Sequence, residues 1–77
     1  MHSDYLIRMA NDIGHFFISS APPEEAARNI QAHIKRFWDP RMRNAIIAHY
    51  RAGGSDLEGP VRTAIQLLAE ETAAKNK

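Results

Sequence analysis

The stretch RFWDPRMR, residues 36–43, decides how this chain folds. It sets three arginines, a tryptophan and a proline within eight positions. A residue that precedes proline is pushed out of the α region. Asp as N-cap and Pro as first helical residue both favour a helix start. Asp39-Pro40 therefore ends one helix and begins the next with almost no linker. Helices joined this tightly cannot lie side by side as antiparallel neighbours, so they meet at a corner.

Upstream of the corner, the helix begins at Pro22 or Pro23 and runs to residue 38. Glu24 and Glu25 lie in its first turn and Lys35 and Arg36 in its last, as the helix dipole prefers. Ala27, Ile30, Ile34 and then Phe37 or Trp38 form its apolar stripe. Before it, Leu6, Met9, Ile13, Phe16 and Phe17 recur at spacings of three and four, which predicts a helix over 3–19 with Ser3 as its cap. Gly14 interrupts that stripe at about 1 kcal/mol against alanine, so the stripe has to be buried against something. Downstream, a third helix over 40–52 carries Met42, Ala45, Ile46, Ile47 and Tyr50 and is closed by Gly53-Gly54. Ser55 and Glu58 have capping-box spacing. Pro60 follows too closely for a continuous helix, so 55–59 reads as a turn. The fourth helix, 60–73, sets Val61, Ala64, Ile65 and Leu68 on one face, and a flexible tail occupies 74–77. No run alternates as a strand does. The expected fold is all-α: one small domain, 1–77, of about four short helices with a sharp corner at Asp39-Pro40.

A domain of 77 residues buries only about 60–65% of its unfolded surface. Scaffolds this small usually add disulfides, a metal or a partner. The sequence has no cysteine, which fits a reducing cytosol and leaves a partner as the remaining support. No apolar run reaches the length of a signal sequence or a membrane span, so a cytoplasmic location without membrane contact is expected. The net charge of +1 conceals an uneven spread: residues 35–55 carry Lys35, Arg36, Arg41, Arg43 and Arg51 against Asp39, a local +4.

Three readings of that basic corner compete. The first is a helix-turn-helix that presents the third helix to nucleic acid. Its linker would be shorter than such motifs use, and the near-neutral chain offers few phosphate contacts. The second is structural: Trp38 and Arg43 have the spacing of a staple, with the arginine stem on the indole. That leaves Arg36 and Arg41 unexplained. The third is a docking surface, because Trp, Met and Arg are enriched in interfaces. The doublets Phe16-Phe17 and Phe37-Trp38 support it, since adjacent helical residues point about 100° apart and one stripe cannot bury both.

Catalytic chemistry finds little to stand on. His2, His15, His33 and His49 show no metal-type pairing with one another or with a carboxylate, and His15 follows Asp12 closely enough for a local contact. Ser19-Ser20 has no base nearby, and no glycine-rich phosphate loop exists. No catalytic, cofactor-binding or metal-binding residue is assigned.

The runs LIRMANDIGHFF (6–17), HIKRFWDPRMR (33–43) and HYRAGGSDLEGPVRTAI (49–65) resemble the delta subunit of cytoplasmic NAD-dependent, molybdenum-containing formate dehydrogenases. FWDPRMR is the most specific part. The resemblance implies a soluble complex whose large subunit holds a molybdenum cofactor and Fe–S clusters, while other subunits hold FMN and the NAD site. Within it, this chain would be a non-catalytic accessory subunit without a cofactor, stabilising the assembly or assisting cofactor insertion. The outward-facing aromatics expected of the two doublets also leave the isolated chain open to self-association. The expected partner-binding residues are Arg36, Phe37, Trp38, Asp39, Pro40, Arg41, Met42 and Arg43. Asp39 and Pro40 would fix the corner, and the arginines are candidates for the cofactor's phosphates during insertion.

Overall fold

Local stop and start signals set the four helices. In the computed structural model, which describes the backbone of residues 3–75 and the side chains of 4–74, they are α1 (Ser3–Ile18), α2 (Pro23–Phe37), α3 (Pro40–Arg51) and α4 (Gly59–Lys75). No strand occurs among the described residues. Ser3 is the first residue of α1 rather than its cap. Helix α4 continues two residues beyond its expected end, so Ala74 and Lys75 are helical. The rest of the expected tail, 76–77, lies outside the described residues.

Each helix end has an identifiable chemistry. The Ser19 and Ser20 hydroxyls donate to the carbonyls of Phe16 (2.9 Å) and Phe17 (3.2 Å) at the end of α1. Pro22 is the N-cap of α2 and Pro23 its first residue. At the corner, Trp38 N donates to Ile34 O (2.9 Å) and the Asp39 carboxylate accepts from Met42 N (2.9 Å). Helix α3 closes in a Schellman motif: Gly54 N donates to His49 O (3.0 Å) and Gly53 N to Tyr50 O (3.1 Å). Both glycines have positive φ, 127° and 64°, a conformation that is cheap only without a Cβ.

Residues 55–58 form a turn, as expected, and α4 starts at Gly59. Glu58 N donates to Asn11 Oδ1 (3.2 Å) and Asn11 Nδ2 to Asp56 O (2.9 Å), which ties the turn to α1. Leu57 then enters the core at 6% exposure.

Helices α2 and α3 each pack on α1 and α4 but not along each other, as the two-residue corner requires. Radius of gyration is 11.4 Å. The core joins Ile30 and Ile34 of α2, Ile46 and Ile47 of α3 and Val61, Ala64, Ile65 and Leu68 of α4. On α1 the buried line differs from the expected one. It follows Leu6, Ile7, Ala10 and Gly14, while Met9, Ile13 and Phe17 are half-buried at its edge and Phe16 is 70% exposed. The small residues Ala10 and Gly14 let α1 approach its neighbours closely, and large apolar residues alone do not reveal that line.

Candidate functional site

Hydrophobic burial divides each aromatic doublet. Trp38 is 4% exposed and belongs to the core, whereas Phe37 is 65% exposed. This corrects the expectation that Trp38 lies on a docking surface: the chain turns at Asp39, and the indole drops into the space between the helices. Met42 is also turned partly inward, against the core. Asp39 and Pro40 shape the corner as cap and first helical residue.

The three arginines of the stretch have separate tasks. The half-buried Arg43 guanidinium donates to the carbonyls of Trp38 and of Lys35 (3.3 Å). It thus holds the C-terminal end of α2 through the backbone, and not by stacking on the indole. Arg36 lies over the Phe37 ring, 5.6 Å from its centroid. Arg41 is exposed on α3 with no partner among the described residues. With Arg43 committed to the fold, α3 keeps only Arg41 and Arg51 as cations on its outer side, and Arg51 reaches back to Ala69 O at 3.4 Å. That is a poor footing for a nucleic-acid reader, whose affinity rests on many phosphate contacts.

What the fold assembles instead is an aromatic face across α1 and α2. Phe16 and Phe17 meet edge to face, centroids 5.2 Å apart. Phe17 continues to His33 (6.1 Å), and His33 to Phe37 (4.7 Å). Phe16 and Phe37, the two ends of the row, are mostly in solvent. Exposed aromatic rings in one contiguous row are a signature of an interaction surface. The four-residue spacing of His33 and Phe37 on α2 was the available sequence signal, and it becomes legible only once α1 brings Phe17 beside it.

The other two described histidines, His15 and His49, have structural partners. His15 Nε2 is 2.8 Å from Glu58 Oε2, so its partner is the turn before α4 and not Asp12. His49 Nε2 donates to Ser55 O (2.7 Å). His2 lies outside the described residues. Among the described residues no group of three or more His, Cys, Asp or Glu side chains is placed to hold a metal ion, and no helix is long and apolar enough to cross a membrane.

The family described as NADH-dependent formate dehydrogenase delta subunit FdsD matches residues 5–65. The matched span takes in all of α2 and α3, with the corner and the aromatic face. No curated protein and no solved structure matches the chain.

Proposed function

The chain belongs to the delta-subunit family of NADH-dependent formate dehydrogenases, and on that premise we propose that it is a non-catalytic accessory subunit that docks on the large, molybdenum-containing subunit and stabilises the assembly in the cytoplasm. The carrying observation is the exposed aromatic row that ends in Phe16 and Phe37. A small domain with an apolar core and unburied phenyl rings gains most by covering those rings with a partner. Arg36 stands as a polar contact at the rim of that interface and Arg41 as an exposed cation on α3 open to the same partner, while Trp38, Asp39, Pro40, Met42 and Arg43 serve it by fixing the corner.

Molybdenum, Fe–S, FMN and NAD chemistry belongs, on this reading, to the other subunits. This chain has no cysteine and, among its described residues, no group of three or more His, Asp or Glu side chains placed to hold a metal ion. A role in cofactor insertion through a phosphate-gripping arginine cluster has weaker support, because Arg43, one of the three arginines of the stretch, is spent on backbone carbonyls.

Coexpression of the tagged chain with its companion subunits tests the reading. A one-to-one chain whose omission dissociates the complex supports a structural subunit. A complex that assembles without it but lacks molybdenum would instead assign it to cofactor insertion. Replacing Phe16 and Phe37 together by serine should abolish copurification, whereas Glu24→Ala, on the exposed start of α2, should not.

A further inference from the structure

Between the two ends of the aromatic row lies a groove of about 280 Å³, lined by Phe17, Asn29, Ala32, His33, Arg36 and Phe37. Helix α2 spaces Asn29, His33 and Arg36 at four and three residues, which brings their polar ends to one side. The small Ala32 leaves room between them. His33 is held between the Phe17 and Phe37 rings. None of the three polar side chains makes a hydrogen bond or ion pair with another described residue. An apolar partner laid over this groove would strand a guanidinium, an imidazole and an amide away from water, each costly without a partner.

Arginine carries N–H donors and no acceptor, and the imidazole and the amide also offer N–H donors. One acceptor with several lone pairs satisfies all three, and a carboxylate is that group. The row is also polar along its length. Asp12 lies beyond the shared residues Phe17 and His33, in an adjoining hollow with Ile13 and Phe16, and would repel an acid placed on that side. Resting on the docking reading above, we propose that this groove receives an aspartate or glutamate side chain set in an otherwise apolar segment of the formate dehydrogenase subunit that covers Phe16 and Phe37. The apolar neighbours of that acid pack on the rings, and the acid fixes the direction in which the segment lies.

The test measures binding of the labelled full-length chain to complex prepared without it, at low and high salt. Arg36→Gln should weaken binding by about tenfold or more, with Arg36→Lys in between. It should also flatten the salt dependence shown by the wild type, because the screened pair is gone. Thermal melts of the free variants should match wild type, since Arg36 is exposed. If Arg36→Gln and His33→Ala bind as wild type at both salt concentrations while the Phe16→Ser, Phe37→Ser variant does not bind, the docking face stands and the carboxylate is overturned. If the double serine variant binds normally, the docking reading fails and this inference with it.

Discussion

Gly14 of α1 faces Val61 of α4 so closely that a Cβ added to the glycine would lie 2.3 Å from Val61 Cγ2. Real Cβ atoms do not come that near another carbon, and Val61 is fully buried with nowhere to retreat. A mid-helix glycine that weakens α1 locally is therefore what lets α1 and α4 share a core.

The first prediction follows from that contact. Helix propensity alone would reward Gly14→Ala by about 1 kcal/mol, but overpacking a tight core costs about 1–3 kcal/mol. The net expectation is destabilisation by up to about 2 kcal/mol, seen as a lower melting temperature. Adding Val61→Ala should recover part of the loss in a double-mutant cycle. A melting temperature raised by Gly14→Ala would contradict the contact.

Trp38 and Phe37 should separate stability from docking. Removing the buried indole with Trp38→Ala is expected to destabilise the chain by about 3–5 kcal/mol, enough to unfold much of a small domain. Phe37→Ala, at an exposed position, should change stability by no more than about 0.5 kcal/mol and yet impair copurification with the complex. Urea denaturation of the free chain beside a pull-down distinguishes the two effects.

Arg43 and Arg41 stand two residues apart with opposite expectations. Arg43→Met leaves the carbonyls of Lys35 and Trp38 without their donor and should cost about 1–2 kcal/mol, toward the lower end for charged hydrogen bonds because the side chain is half-exposed. Arg41→Met touches no described partner and should lie within about 0.5 kcal/mol of wild type. Equal melting temperatures for the two variants would remove Arg43 from its place as the clasp of the corner.

Asn11 and His15 both reach from α1 to the turn before α4, and Asn11 should matter more. Its amide satisfies the Asp56 carbonyl and the Glu58 N–H together, so Asn11→Ala should cost about 1 kcal/mol or somewhat more. The His15–Glu58 pair is roughly half exposed at both side chains, and His15→Ala should cost about 0–1 kcal/mol, falling with added salt. Hydrogen exchange at the Glu58 amide should rise in the Asn11 variant and change little in the His15 variant.

Much of the fold was legible because its punctuation is local. Asp39-Pro40, Pro22-Pro23 and Gly53-Gly54 act on their own dihedrals and on groups three to five residues away, and the helices end within two residues of where those signals place them. The buried stripe of α4 was equally plain, since Val61, Ala64, Ile65 and Leu68 leave one choice of face. On α1 the same logic found Leu6 and the half-buried Met9, Ile13 and Phe17 but missed the centre of the line, because hydrophobic spacing weighs side-chain size while helix approach weighs the lack of it, at Ala10 and Gly14.

The candidate site was only half legible for a related reason. Two aromatic doublets announce that one ring of each pair turns outward, and the helical period goes no further than that. Which ring turns outward depends on what occupies the other side. Tertiary packing sent Trp38 inward, left Phe16 and Phe37 in solvent and brought Phe17 against His33. It likewise paired His15 with Glu58 and Asn11 with the turn at 56–58, across sequence separations of 43 to 47 residues. The sequence by itself determined four helices, their ends and the corner, because caps, prolines and glycines act over a single turn of chain. Only the tertiary structure decided which surface is left for a partner, because that surface is whatever the packed core does not use.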